Sequence, residues 1–284
     1  MSIEEPTDWA PSSGPVVVVA ACQVELAVGR PADNAEAVEE AVREAAALGA
    51  QLVVVPELAT SGYVFESVAE ARSLAEPLDG DTVTRWTALA RDLGLVVVGG
   101  LAELAGDELF NVSVIVDASG LRAAYRKVHL WDAEPDFFAA GEARPPVVDT
   151  AVGRVSTVVC YDLEFPEWTR LPGLDDADVL AVPTNWPAEP SRMSPTPAEV
   201  VKAQSTAMVN RMAVVCADRC GTERGVSWLG GSAVIGADGR LLAGPSAMAV
   251  PAVHVAEVDL GLSRDKRTGP RNHPLHDRRP HLYS

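Results

Sequence analysis

Residues 16–24 (VVVVAACQV) form an unbroken apolar run, as expected of a strand buried on both faces. The period then changes. Ala35, Val38, Val42 and Ala45 recur at helical spacing, and Gly49 closes that helix. QLVVVP (51–56) reads as a short buried strand. Asp81 is placed to cap a second helix, whose Trp86, Leu89, Ala90 and Leu93 share one face. Gly94 ends it, and LVVVG (95–99) is the next strand.

The middle of the chain is hairpin-like. Apolar runs at 110–116 and 121–128 flank Asp117-Ala118-Ser119-Gly120. A strand is expected over 153–160, a short helix over 164–170, a strand over 179–183, a helix over 198–212 and a strand over 213–217. Runs at 232–235 and 241–242 flank Ala237-Asp238-Gly239 as a second hairpin, and 253–258 is the last strand. Two β–α stretches separated by hairpins predict a layered α/β domain with mixed sheets. No linker composition divides it, and no fixed-period repeat runs through it. The expected organisation is a flexible tail at 1–15, a single domain over 16–262 and a distinct segment at 263–284. That last segment carries Arg264, Lys266, Arg267, Arg271, Arg278 and Arg279 against Asp265 and Asp277, which suggests docking on the body or on a partner subunit.

Composition narrows the picture. With 284 residues, 48% of them hydrophobic, the chain can bury a sizeable core. Its formal charge of −17 disfavours phosphate backbones and anionic lipid, so neither nucleic acid nor membrane is an expected partner. No apolar stretch reaches the roughly 20 residues of a membrane helix. The opening MSIEEPTDWAPSSGP lacks the basic and apolar regions of a signal peptide, so a cytoplasmic location is expected. Four cysteines, Cys22, Cys160, Cys216 and Cys220, do not make a disulfide scaffold. Cys22 reads as strand packing. Cys216 and Cys220 lack zinc-ligand spacing.

The chain has no GxSxG, HExxH, GxxxxGK[ST] or GxGxxG. Three ionisable residues stand instead at the ends of apolar strands: Glu57 after LVVVP, Lys127 after LRAAYR and Cys160 after VSTVV. Ligand sites in α/β folds gather at such ends. Each has an ordinary reading: a turn carboxylate, a solvated Lys, and a core thiol, metal ligand or redox centre. Together they permit nucleophilic chemistry. A thiol with a reference pKa of about 8.5 needs activation at neutral pH. Glu57 would serve as general base, and Lys127 would favour the thiolate and an oxyanion. The Tyr161 N–H would join that oxyanion site if Cys160 opens a turn. Glu134, seven residues past Lys127, would hold the ammonium oriented. A Cys–His pair is the rival scheme; His254, His273, His276 and His281 have no recognisable Cys-His context, and His129 reads as a structural neighbour of Lys127.

With these residues in view, the chain resembles the nitrilase superfamily of carbon–nitrogen hydrolases from about Val16 to Tyr283. PELATSGY (56–63) resembles its first signature, with the family Glu at Glu57. YRKVHLWDAEPDFFAAGE (125–142) resembles the second, with the catalytic Lys at Lys127 and the additional Glu at Glu134. VVCYDLEFPEWTR (158–170) resembles the third, with the nucleophile at Cys160. VPTNWP and DRRPHLYS also look familial.

The resemblance implies a four-layer α-β-β-α sandwich with mixed β-sheets, a homodimer with C-terminal tails crossing it, a thioester acyl-enzyme on Cys160, and no metal or cofactor. Cys160-Tyr161-Asp162 followed by Phe165-Pro166-Glu167 is similar to the amidase, ω-amidase and carbamoyl-amidase side. Glu164 stands where ω-amidase-like members carry Arg. The expected substrate is a small, uncharged, aliphatic amide. Tyr63, Trp131, Phe138, Asn185 and Trp186 are the expected pocket residues, and Asp162 is expected to orient backbone around Cys160. Nitrilase, N-carbamoyl amidohydrolase and a non-catalytic interaction protein of the same fold stay as alternatives.

Overall fold

The computed structural model describes residues 13–188, 196–246 and 249–283. Its first half runs β1 (Val16–Glu25), α1 (Pro31–Ala47), β2 (Leu52–Val54), α2 (Val68–Ser73), α3 (Asp81–Leu93), β3 (Val96–Ala105), β4 (Glu108–Asp117) and β5 (Gly120–Arg126). The second runs β6 (Val147–Thr150), β7 (Gly153–Thr157), α4 (Pro166–Leu174), β8 (Val179–Thr184), α5 (Ala198–Asn210), β9 (Ala213–Cys220), β10 (Thr222–Glu223), β11 (Val226–Ser227), β12 (Ala233–Ile235), β13 (Leu241–Ala243), β14 (Ala252–Asp259) and α6 (Leu260–Arg264).

Two six-stranded halves face each other. One has the order β5-β4-β3-β2-β1-β14, with β1, β2 and β3 parallel; the other has β6-β7-β8-β9-β12-β13, with β7, β8 and β9 parallel. They join where Val24 and Glu25 pair with Arg219 and Cys220. Alternation along β1 shows why its run is apolar throughout. Val17, Val19 and Ala21 enter the core between the sheets, whereas Ala20, Cys22 and Val24 enter the core under α1 and α3. In β8, Val179 and Ala181 face the sheet interface, while Leu180 and Val182 pack under α5. The result is a four-layer α-β-β-α sandwich with mixed sheets, as the resemblance implied. Among the described residues, no helix is long and apolar enough to cross a membrane.

Several local expectations change. Asp81 is the first helical residue of α3, not its cap. Gly80 takes the cap position, and the Glu76 carboxylate accepts from the Thr82 N–H at 2.9 Å. The strand expected over 153–160 stops at Thr157, and Cys160 opens a 3₁₀ turn, Cys160–Glu164. The helix expected from 164 starts at Pro166, where a fixed φ and a missing N–H suit the first turn. Helix α2, strand β6, the β10–β11 ribbon and α6 have two to six residues each, too few to show a period.

Of the expected tail at 1–15, residues 1–12 lie outside the described residues. Gly14 N–H donates to Asp259 Oδ1 at 2.9 Å, and Pro15 C=O accepts from Leu260 N–H at 2.9 Å. At the other end, Lys266 is buried, and its ammonium donates to the carbonyls of Ala177 and Arg211, each at 2.8 Å. The start of the basic segment is therefore fastened to its own body.

Candidate active site

Glu57 lies three residues beyond β2 in a turn whose next residue, Leu58, has φ 48°. Strand β3 approaches this turn closely. Gly100 N–H donates to Pro56 C=O at 3.0 Å, and Gly100 C=O accepts from Ala59 N–H at 2.8 Å. A Cβ at Gly100 would sit 2.6 Å from Glu57 Cα, so only glycine permits this approach. Lys127 follows β5 directly, its N–H donating to Asn111 C=O and its C=O accepting from Gly141 N–H, each at 2.8 Å. Both side chains are buried in the interior between these supports.

The ammonium of Lys127 donates to Glu57 Oε1 at 2.8 Å and to Glu134 Oε1 at 2.7 Å. Neither Lys127 nor Glu57 is measurably solvent-exposed at the side chain. Tyr63 Oη donates to Glu134 Oε1 at 2.8 Å, and Trp131 N–H donates to Glu134 Oε2 at 2.9 Å. Asn111 Nδ2 donates to Glu57 Oε1 at 2.6 Å and reaches Glu134 Oε1 at 3.4 Å. Glu57 Oε2 has no hydrogen-bond partner among the described residues. Burial raises the Glu57 carboxyl to about 7, against the lowering effect of Lys127 and with a further push from Glu134. Burial alone would lower the Lys127 ammonium, but Glu134 and Glu57 hold it well above its ordinary value.

Cys160 has φ 44°, an uncommon conformation for a residue with a Cβ, held where β7 turns into the 3₁₀ segment. The Asp162 carboxylate supports that turn. It accepts from Val159 N–H at 3.0 Å and Tyr125 Oη at 2.9 Å through Oδ2, and from His129 N–H at 3.1 Å through Oδ1. His129 Nδ1 lies 2.7 Å from the same Oδ1, and its ring stacks on Phe165 at 3.7 Å. Asp162 thus orients backbone, as expected, and His129 is held by Asp162 and Phe165 as a structural group.

Asn185, just past β8, joins the two halves. Its Nδ2 donates to Glu57 C=O at 3.0 Å, and its backbone N–H favours the charged form of the Cys160 thiol. Burial pushes the Cys160 thiol well up, Glu57 adds to this, and Lys127 with the Asn185 N–H only partly opposes it. Lys127 favours the thiolate, as expected from the sequence, but burial outweighs it.

Cys160 opens onto a cup of about 260 Å³ with Trp131, Tyr161, Asn185, Trp186 and Glu199 in its wall. Glu164 and Lys202 form an ion pair in the same wall. Tyr63 and Phe138, expected to line this pocket, line an adjoining cavity that shares Trp131 and Pro187 with the cup. Asn111, Asp218 and Glu223 were not singled out from the sequence. Asp218 is buried and accepts from the N–H groups of Trp186 at 2.9 Å and Gly231 at 2.8 Å, which fixes the backbone after Asn185. The available signal for Asn111 was a polar residue alternating with Val112 and Val114 in a strand otherwise fit for a core. Among the described residues, no group of three or more His, Cys, Asp or Glu side chains is arranged to hold a metal ion.

Comparison with known proteins finds relatives over most of the chain. The family model for carbon-nitrogen hydrolases matches residues 18–268. The chain is 36% identical over 271 residues to a nitrilase of Pyrococcus abyssi, covering 94% of this chain and 99% of that protein. It is 34% identical over 210 residues to an (R)-stereoselective amidase of a Pseudomonas species, covering 74% and 73% respectively. Among solved structures, an amidase from a Nesterenkonia species aligns with a TM-score of 0.77 at 26% identity, covering 98% of each chain. A mutant of the Nesterenkonia sp. AN1 amidase shows covalent addition of the acetamide moiety of fluoroacetamide at its active-site cysteine; it aligns with a TM-score of 0.78 at 26% identity, covering 97% of this chain and 98% of that one.

Proposed function

This chain belongs to the carbon–nitrogen hydrolase family, and from that premise we propose that it is an amidase converting small uncharged primary amides to carboxylic acid and ammonia. The observation that carries the reading is the buried Glu57–Lys127–Glu134 set, tied through Asn185 to Cys160, with Glu57 Oε2 unpartnered among the described residues. The names of the amidase relatives support the same branch.

In the proposed reaction, Glu57 Oε2 takes the Cys160 thiol proton as Sγ attacks the amide carbonyl carbon. The carbonyl π electrons move onto oxygen, and that oxyanion is stabilised by the Lys127 ammonium and the Tyr161 N–H. Collapse re-forms the carbonyl and breaks the C–N bond. Glu57 returns the proton to the departing nitrogen, ammonia leaves, and the acyl group stays on Cys160 as a thioester. Glu57 then deprotonates water, whose oxygen attacks the thioester carbon. The sulfur leaves, takes up the proton from Glu57, and the carboxylic acid is released. Glu134 keeps Lys127 charged and in place through both halves. Trp131, Asn185 and Trp186 shape the acyl site in this scheme.

The test is ammonia release from a panel of short primary amides, run beside the matching nitriles and carbamoyl compounds, with intact-mass detection of the acyl-enzyme. Cys160→Ala should keep its fold and lose both turnover and the mass adduct. Undiminished turnover in that variant would sink the assignment. The similarity to a protein named nitrilase favours nitrile hydrolysis as the second reading; turnover of nitriles without amides would select it. The proposal includes a homodimer. Exposed Val201 and Met208 on α5 and Leu241 and Leu242 on β13 offer an apolar face for a second copy, and light scattering after size exclusion tests it.

A further inference from the structure

The second cavity, which adjoins the Cys160 cup at Trp131 and Pro187, differs from it in chemistry. Trp131 and Pro187 line both, so the two spaces share a wall. The chain has five Phe, six Trp and four Tyr. Six of these aromatics, Tyr63, Phe65, Trp131, Phe137, Phe138 and Trp228, surround this one cavity. Its volume is about 220 Å³. An apolar cavity of about 150 Å³ accommodates a benzene molecule, so this one has room for a phenyl ring. A packed core would not leave a space of this size among aromatic rings, because the lining forfeits its contacts.

The wall is held rigid from behind. Arg219 is fully buried, pairs with Glu223 at 2.9 Å, and places its guanidinium carbon 4.7 Å from the centre of the Trp228 ring. Trp228 meets Tyr63 edge-on at 5.4 Å. Glu223 also accepts from the backbone N–H groups of Tyr63 at 3.0 Å and Val64 at 2.7 Å. Phe65 contacts the rings of Phe137 and Phe138 at 5.7 and 5.9 Å. A buried ion pair spent on orienting two rings of an open cavity is the arrangement of a preorganised binding surface. The acidic members of the lining, Asp132 and Glu134, disfavour an anionic occupant.

We infer that this aromatic cavity is an acyl-arm subsite, which selects primary amides whose acyl group carries a phenyl-sized apolar arm. The inference rests on the amidase reading above and deepens it. A primary amide has no substituent on nitrogen, so the acyl part is the only part that can extend past Trp131 while its carbonyl carbon stays at Cys160. A short aliphatic amide would react in the cup and leave the subsite empty.

The test compares propanamide, 3-phenylpropanamide and N-phenylpropanamide on the full chain. The expected kcat/KM for 3-phenylpropanamide exceeds that for propanamide by about tenfold or more, the scale of burying an apolar group in a fitted pocket. Val226 lines the subsite and not the cup. Val226→Trp should remove that preference while leaving propanamide turnover within about twofold, and Val226→Ala should retain it. Binding to Cys160→Ala, read by tryptophan fluorescence, should favour 3-phenylpropanamide over propanamide in the same ratio. This measurement separates the two claims. Preferential binding without any amide turnover in the native enzyme would keep the subsite and reject the amidase reading. Amide turnover with equal kcat/KM and equal binding for the two primary amides would reject the subsite alone. A gain confined to N-phenylpropanamide would also overturn it, by placing the ring on the leaving-group side.

Discussion

The side-chain amide of Asn111 donates to Glu57 Oε1 at 2.6 Å, which commits that oxygen and leaves Oε2 as the proton-accepting end of the carboxylate. Asn111→Asp would replace this donor with a second acceptor beside a buried carboxylate. Like charge raises a carboxyl pKa by about one unit or more. The acid limb of kcat/KM should therefore move upward from its native position, with about a tenfold loss at neutral pH. A pH–rate profile of the variant beside the native enzyme checks both.

The native profile follows from Glu57 itself. Its carboxyl is raised to about 7 by burial, so the base form dominates only above that pH. Activity should fall as pH drops through about 7 and should not follow the ordinary carboxylate range near 4.5. Glu57→Gln keeps the shape but cannot accept a proton, and its kcat should fall by about 10²–10⁴-fold at every pH. A profile with an acid limb near 4.5 would place the titrating group elsewhere.

Tyr63 reaches the reaction through Glu134. Tyr63→Phe removes the 2.8 Å hydrogen bond to Glu134 Oε1 but leaves the Lys127 contact and the Trp131 N–H in place. The expected loss is about 1 kcal/mol, or roughly fivefold in kcat, with folding unchanged. Glu134→Ala also strips Lys127 of one of its two buried partners and should cost far more, about 3–5 kcal/mol in stability. Urea denaturation alongside steady-state kinetics distinguishes the two variants.

Asp162 gathers Val159, Tyr125 and His129 around the turn that presents Cys160. Asp162→Asn turns one acceptor oxygen into a donor facing other donors. The variant should lose about 2–3 kcal/mol of stability and also lower kcat, because the φ 44° backbone of Cys160 loses its support. Alkylation of Cys160 by iodoacetamide, followed by mass spectrometry, should slow in parallel.

Lys266 fastens the C-terminal segment. Lys266→Met strands the carbonyls of Ala177 and Arg211 and should cost about 1–3 kcal/mol. Burial also lowers the native Lys266 amine to about 8 from an ordinary 10.5. Between those values the unfolded chain binds a proton that the folded chain does not. The Lys266 contribution to stability should therefore rise with pH across that window and level off below about 8. Comparing the two proteins by urea titration at pH 8 and pH 10 reads this out.

The strand–helix order, both hairpins and three of the site residues were legible in the chain because their signals are local. Continuous valine runs report strands covered on both faces, Glu57 and Cys160 follow such runs, and Lys127 follows the half-exposed strand LRAAYR. Boundaries were less legible where a side chain from elsewhere decides them. Gly80 takes the cap position of α3 in place of Asp81 while Glu76 accepts the Thr82 N–H, and Asp162 bends the chain at Cys160 before the strand has used all its apolar residues.

By itself, then, the sequence determined the layered α/β class and the residue types available for thiol chemistry, since periodicity and strand-end chemistry are properties of short segments. Tertiary structure alone decided how those residues act. Glu57 and Lys127 are 70 positions apart, and their 2.8 Å contact exists because β2 and β5 run in the same direction and finish at the same end of one sheet. Burial raises the Glu57 carboxyl to about 7 and pushes the Cys160 thiol up, and no local pattern encodes that desolvation. The same holds for Tyr63 and Phe138. Their aromatic character was plain in the chain, but only packing placed them around a cavity that adjoins the cup and shares Trp131 with it.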